Sequence, residues 1–382
     1  MHILLIGNPE NRRVQLFGQA AGRLHLPVPE VVSYLDVLTG NTRLEDKLRP
    51  DTLLRIDSPG ENFEVEKRLI ALGATAAAES TGEHIPAPAA LALEEDHGRI
   101  RYLRQWYLGY NTLLTGWQRI LQKTPAVATL NTPAAIALMF DKVTCQQRLH
   151  AHGVLVPRTL RPVTHYELLR EQLKAQALTR VFVKPSHSSS ASGVIAYRTG
   201  EHREEAITSV ELVRKGGEVK LYNSLKVRKY THPEDIALLV NYILREGAIV
   251  EEWIPKASMG KYTFDVRIVV VAGKARHVLP RLSQGPLTNL HLGNKRGEAG
   301  ALQQLLGADR YAQLLHTAQE AVKAIPGAFY AGVDLLIPAG LGTPRVLEVN
   351  AFGDLLPNLL HEGEDTYTAQ LTSYFRSYAP IR

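Results

Sequence analysis

The stretch 332–350, GVDLLIPAGLGTPRVLEVN, restricts the folds open to this chain more than any other segment. Gly332–Ile337 and Arg345–Val349 are apolar runs, and Pro338–Pro344 between them is dominated by turn formers, so the pattern predicts an antiparallel hairpin. Residues i and i+2 of a strand share a face, which puts Glu348 and Asn350 on one side with Asp334 able to join them from the partner strand. Three hard oxygen donors without Cys or His describe a Mg2+ site completed by phosphate oxygens. The same residues also suit a solvated sheet face, and the hairpin alone does not decide between the two.

At 382 residues the chain exceeds one ordinary core, so two or three domains are expected. A hydrophobic content of 45% with 21% charged residues belongs to a soluble globular protein. The single cysteine, Cys145, excludes a disulfide framework and fits a reducing compartment. The apolar run Ile3–Ile6 is too short for a signal peptide, and no later segment approaches a membrane span, so a cytoplasmic protein with no membrane partner is expected. A net charge of +6 suits phosphate-bearing or acidic ligands. It is too weak for a dedicated nucleic-acid binder, and nucleic acid is not an expected partner.

Residues 1–125 alternate strand and helix patterns (HILLIG, then Arg12–Leu24; DTLLRIDSPG, then FEVEKRLIALG), which implies an independent α/β unit on a parallel sheet. No G-x-G-x-x-G follows the first strand, so the dinucleotide fingerprint is missing. A long amphipathic helix follows, and its Trp106, Tyr107, Tyr110 and Trp117 are expected to pack against another domain. Beyond a boundary near 122–133, the segment from Asn131 reads as a helical run stopped by Gly153. The expected division is therefore 1–125, 126–250 and 251–382.

Within the last two units the chemistry-bearing residues come in a fixed order. Lys184 ends an apolar strand, and the Ser-rich segment after it exposes backbone N–H groups of the kind that cradle phosphate. Glu251 and Glu252 sit on a later strand and point to opposite faces. Asp265 and Arg267 share a strand face, and Arg281 opens the segment that carries Asn289 and His291. A guanidinium and an amide near a metal are what a transferring phosphoryl group requires. Each of these also has an ordinary structural explanation when taken alone.

Together, NTPAAIALMFDKVTCQQRLHAHGVLVPRT, VFVKPSHSSSASGV, IVEEWI, FDVRIVVVAGKARHVLPRLSQGPLTNLHLGNKRG and GVDLLI…VLEVNAFGD resemble the ATP-grasp ligases, closest to the RimK and glutathione synthetase branch. The resemblance covers about 125–360. It implies an N-terminal parallel-sheet (pre-ATP-grasp) domain followed by two α+β subdomains with ATP between them. It implies a carboxylate–amine ligase using ATP and Mg2+ (Mn2+ an alternative) and passing through an acyl phosphate, with a small-molecule or peptide carboxylate and an amine as partners. Homodimers are common among such relatives.

By the same resemblance, Lys142 and Lys184 match the lysines on the α- and β-phosphates, and Ser188, Ser189, Ser190 and Gly193 the phosphate-covering loop. Glu251, Glu252, Trp253 and Ile254 match the adenine and ribose hinge. Arg267, Arg281 and Asn289 match the groups facing the γ-phosphate and acyl phosphate, and Asp334, Glu348 and Asn350 match the Mg2+ ligands.

Three departures stand out: a Ser-rich loop where relatives have glycine, Ala191 at a position often Gly, and AFGDLLPN after Asn350. The last assigns Phe352 and Asp354 to a different acceptor pocket, and Arg55 and Asp57 are further candidates for substrate contact. Two other activities are compatible with the same fold. One is a kinase acting on a small hydroxyl substrate, its phosphates bound by Lys226, Arg228 and Lys229. The other is a non-catalytic ATP-binding regulator.

Overall fold

The computed structural model describes residues 1–79, 82–188, 192–200 and 203–378. The first sheet is parallel, four-stranded and ordered β2-β1-β3-β4, built from β1 (His2–Gly7), β2 (Glu30–Ser33), β3 (Thr52–Ile56) and β4 (Ala128–Thr129). Ile3, Leu4, Leu5 and Ile6 are all fully buried, as expected of a parallel strand covered on both faces. Between the strands run α1 (Arg12–Arg23), α2 (Tyr34–Thr39), α3 (Phe63–Leu72), α4 (Ala74–Ala78), α5 (Ala87–Leu91) and α6 (Leu103–Gln122). Helices α3 and α6 approach so closely that a Cβ on Gly109 would stand 1.8 Å from the Leu69 carbonyl oxygen. Only glycine fits there.

The run read as one helix after Asn131 is two, α7 (Pro133–Phe140) and α8 (Lys142–Ala151). Asp141 breaks it with φ −93° and ψ 95° and caps α8 by accepting from Thr144 N–H at 3.1 Å. The break has a consequence for the site, because it makes Lys142 the first residue of a helix.

After α9 (Tyr166–Ala175) comes an antiparallel five-stranded sheet ordered β8-β7-β6-β5-β9, from β5 (Arg180–Pro185), β6 (Ile195–Thr199), β7 (Glu204–Lys215), β8 (Glu218–Tyr230) and β9 (Ala248–Glu252). Helix α10 (Pro233–Arg245) precedes β9. The third sheet holds β10 (Ser258–Met259), β11 (Tyr262–Val271), β12 (Lys274–Ser283), β13 (Lys295–Arg296), β14 (Tyr330–Leu336) and β15 (Arg345–Asn350), with α11 (Ala299–Lys323) and α12 (Thr366–Tyr378). The hairpin expected at 332–350 is β14–β15, antiparallel, with Asp334 opposite Glu348 and Gly332 opposite Asn350. The β11–β12 turn uses Ala272 (φ 48°) and Gly273 (φ 74°), a pair of positive φ values that suits a two-residue hairpin.

The cores divide differently from the sheets. The five-stranded sheet has its own, in which Val181, Val183 and Tyr197 pack on Leu169, Leu173, Ile236 and Leu239. The first sheet does not stand alone. Ile3, Leu5, Phe17 and Leu53 share one apolar cluster with Val269, Val271, Tyr330 and Leu371, so the N-terminal unit and the last subdomain bury their surfaces against each other. The expectation of an independent N-terminal unit is corrected in this respect.

Arg55 and Asp57 lie inside that shared interior, 0% and 1% exposed. Arg55 bonds Asp57, Asp354 and Gln370, and the rings of Phe17, Tyr330 and Tyr367 surround its guanidinium within 5.2 Å. Asp354, fully buried, also takes Arg13 at 2.6 Å. Substrate contact by Arg55, Asp57 or Asp354 is therefore ruled out by position, since β14 and α12 cover this end of β3. Another buried carboxylate, Glu246 after α10, accepts from Tyr102 N–H at 2.9 Å and Leu103 N–H at 2.7 Å at the start of α6.

Among the described residues no helix is long and apolar enough to cross a membrane.

Candidate active site

A cleft between the second and third sheets is lined by Lys142, Lys184, Ser188, Glu251, Glu252, Ile254, Arg267, Arg281, Asn289, Asp334, Glu348 and Asn350. Residues far apart in sequence meet here because β5 and β9 run side by side in one wall while β11, β14 and β15 do so in the other. Two predicted site residues stand off the cleft. The Trp253 ring packs on Phe182 at 5.3 Å, and Gly193 (φ 74°) packs on the Pro185 ring, which leaves 2.6 Å for a Cβ. Ser189, Ser190 and Ala191 lie outside the described residues.

Lys142, placed by the α8 cap, donates to the Ser188 carbonyl, and its Nζ lies 3.0 Å from Glu348 Oε1. Lys184 reaches Glu251 Oε2 at 2.5 Å, while Gln146 donates to Glu251 Oε1 at 2.6 Å. Burial alone would lower the Lys184 pKa, but Glu251, aided by Glu348 and Asp334, more than offsets it and the net shift is upward. Glu251, matched to the hinge by sequence, thus has both carboxylate oxygens engaged by Lys184 and Gln146. The cleft wall beside it is formed by Phe182, Glu252 and Ile254.

The start of the Ser-rich loop is fastened to α6. His187 stacks on Tyr107 with centroids 3.9 Å apart and planes 8° from parallel. Burial lowers the His187 pKa to about 4, against the pull of Asp141 and with a contribution from Lys142 and Arg104, so the ring is neutral at ordinary pH. Tyr107 therefore packs between domains as expected, through the very loop that follows Lys184.

Opposite, Arg267 grips Asp334 with Nε and with Nη2 at 2.8 Å, and its Nη1 donates to Gly353 O at 3.1 Å. Arg281 bonds Asp265 at 2.7 Å and lies 3.2 Å from Asp334. Burial favours the protonated form of both acids, yet Arg267 and Arg281 hold Asp334 below the usual carboxylate range, and Arg281 with Lys256 holds Asp265 down to about 2. Asn289 caps the turn Leu290–Leu292 by accepting from His291 N–H at 2.9 Å. Asn350 donates to Gly332 O at 3.3 Å, and Gly332 and Gly353 meet so closely that a Cβ on Gly353 would stand 2.7 Å from the Gly332 Cα.

Lys256, Thr288 and Phe182 also line the cleft and were missed by sequence reasoning. Lys256 follows the hinge in an irregular segment with no periodicity to orient it; the only available signal was a lysine between two apolar positions close to a predicted ligand strand.

No group of three or more His, Cys, Asp or Glu residues among the described residues is placed to hold a metal ion. With the amide of Asn350 counted, the cross-strand pair Asp334 and Glu348 gives an all-oxygen set that fits Mg2+ in donor type. Both carboxylates are engaged by cations, so loading a metal means exchanging those partners. The basic run on β8 is largely neutralised, Arg228 by Glu211 at 2.6 Å and Lys229 by Glu205 at 2.5 Å.

By sequence the chain matches no protein-family model and no curated protein. By structure it is similar to the D-cycloserine synthetase DcsG, with a TM-score of 0.54 and 14% identity over 98% of this chain and 99% of that one. It is similar also to the macrocyclase MdnC from Microcystis aeruginosa MRC, bound with precursor peptide MdnA (TM-score 0.51, 13% identity, 98% and 99% covered). A third match is a D-alanine–D-alanine ligase from Bacillus anthracis complexed with ATP (0.50, 13%, 98% and 96%). The architecture is thus of the mixed α/β class with an N-terminal parallel sheet. More particularly, the chain has the ATP-grasp fold, which it shares over 99% of its length with the ATP-grasp ligase PsnB complexed with minimal precursor (TM-score 0.52, 14% identity, 99% of that chain covered).

Proposed function

We propose that this chain is an ATP-dependent carboxylate–amine ligase. A substrate carboxylate takes the γ-phosphoryl group of ATP, an amine attacks the resulting acyl phosphate, and the products are an amide, ADP and phosphate. The observation that carries the reading is the convergence of Lys142, Lys184, Arg267 and Arg281 with Asp334, Glu348 and Asn350 in one cleft of an ATP-grasp fold. The acid and the amine are small molecules or peptides, in keeping with the substrates named for the similar structures.

In this reading Lys142 and Lys184 take the α- and β-phosphates, and Glu252 to Ile254 border the base. Asp334, Glu348 and Asn350 would hold Mg2+, which when bound neutralises charge between neighbouring phosphates. Lys142 and Arg267 exchange their carboxylate partners for phosphate oxygens, Lys142 on the α- and β-phosphates and Arg267 on the equatorial oxygens of the transferring γ-phosphoryl group. Arg281 and Asn289 face the acyl phosphate. The cleft walls exclude water from that labile species.

The test is ADP release with Mg2+ and ATP across a matrix of acids and amines, with hydroxylamine as an acyl-phosphate trap. Release that needs both an acid and an amine, and hydroxamate formation when the amine is replaced by hydroxylamine, is expected. A phosphorylated alcohol as product would overturn the reading in favour of a kinase.

A further inference from the structure

Lys256 has no part in the reading above, although it lines the same cleft. It stands on the connector between β9 and β10, where the neighbouring Ala257 N–H donates to Ile337 O at 2.8 Å. Its Nζ lies 2.7 Å from Thr288 Oγ1, 3.1 Å from Asp265 Oδ2 and 3.3 Å from Pro286 O. An ammonium has three N–H donors, and here three acceptors surround it. Thr288 donates in turn to the same Asp265 oxygen, closing a small ring of hydrogen bonds. The Lys256 side chain is only 8% exposed.

This differs from the other two lysines of the cleft. Lys142 is paired with Glu348, which is part exposed, and Lys184 with one buried glutamate; each can trade that partner for a phosphate oxygen. Lys256 holds two points of a loop. Thr288 immediately precedes Asn289, whose capped turn Leu290–Leu292 packs against β8 of the central sheet. Asn294 adds a tie from the far side, donating to Leu287 O at 2.7 Å.

We infer that Lys256 is a positioning residue: by tying Pro286 and Thr288 to Asp265 it fixes the segment that presents Asn289 to the cleft, and it binds no phosphate itself. The inference rests on the ligase reading for the ligand's identity, while the tie itself can be tested without ligand.

The experiment compares wild type, Lys256→Met, Lys256→Arg and Thr288→Val by hydrogen exchange over residues 284–294 and by the affinity for AMP-PNP with Mg2+. In Lys256→Met, exchange over that segment accelerates by about tenfold without ligand, while the AMP-PNP Kd stays within about threefold of wild type. Turnover, followed as ADP release, falls by about tenfold or more with KM for ATP unchanged. Lys256→Arg, which keeps charge and donors, restores part of the protection, and Thr288→Val loses a smaller part.

An AMP-PNP Kd raised about tenfold with exchange unaltered would make Lys256 a phosphate ligand and overturn the inference. No change in either readout would overturn it too. Should Lys256→Met fail to fold, because Asp265 loses one of its two cations, Thr288→Val carries both readouts alone. A wild-type protein that does not bind AMP-PNP would sink the ligase reading instead, and the exchange data would still decide the tie.

Discussion

Asp334 and Glu348 face each other across β14 and β15, yet different cations hold them: Arg267 and Arg281 the first, Lys142 the second. One wall of the cleft thus carries a carboxylate pair in which each acid is already neutralised. A nucleotide with its metal has to compete for both sides of these ion pairs, and the competition can be measured.

Asp334→Asn removes the anion that holds Arg267 and Arg281. The freed guanidiniums then favour phosphate, so AMP-PNP without metal binds about tenfold more tightly, and the gain from adding Mg2+ shrinks. Calorimetric titrations with and without Mg2+ check both effects. An unaltered Mg2+ dependence would remove Asp334 from the metal site.

Lys184→Met leaves Glu251 buried with Gln146 as its remaining partner. Breaking a buried pair from one side costs on the order of 3–5 kcal/mol, so thermal unfolding should move down by several degrees at least. The double variant Lys184→Met/Glu251→Gln should recover most of that stability while still binding AMP-PNP weakly. Recovery of both together would mean that Lys184 serves the fold alone.

Arg55→Met leaves Asp57 and Asp354 in an interior without one of their counter-charges, again a loss of about 3–5 kcal/mol. Because none of these three residues lines the cleft, AMP-PNP affinity should remain unchanged at temperatures where the variant is folded. A selective loss of affinity with stability intact would return Arg55 to the list of ligand contacts.

Glu246 predicts a pH dependence of stability. Burial raises its pKa from 4.5 to about 7, against the lowering effect of the Tyr102 and Leu103 N–H groups. Its raised value means that the folded state keeps a proton the unfolded chain releases. The stability so gained is complete below pH 4.5 and is lost as pH rises through about 7, a change of about 3 kcal/mol. Wild-type Tm should therefore fall across that window relative to Glu246→Gln, whose curve lacks this component. Parallel curves would show that Glu246 does not titrate there.

Much of the cleft lining was legible in sequence because the residues proposed as ligands sit on strands, where a period of two fixes the face. Glu348 and Asn350, and Asp265 and Arg267, are i, i+2 pairs of this kind, and turn formers at 338–344 located the hairpin β14–β15. What sequence does not show depends on tertiary partners. Glu251 lines the cleft as expected of the hinge strand, but its bond to Gln146, on a helix about a hundred positions earlier, has no local signal. Arg55 and Asp57 end a strand where open sheets bind ligands, but α12 covers that end, and nothing local in sequence announces a helix arriving from 300 residues away. Lys256 was invisible for the opposite reason, since an irregular connector gives a side chain no predictable direction.

The interior shared by the first sheet and the last subdomain bears on how the chain is made. Arg13 and Asp354 are 341 positions apart, Arg55 and Gln370 are 315 apart, and each pair is among the contacts that neutralise or satisfy a buried charge. During synthesis the strands of the first sheet emerge about 300 residues before the groups that complete their packing. The central sheet, with a core of its own, can fold as it appears. The opening hundred residues must wait, with Phe17 and Leu53 uncovered, for α12 to be translated. Chaperone dependence should accordingly concentrate on the beginning of this polypeptide, and a ribosome stalled before α12 should display a folded middle flanked by an unfinished start.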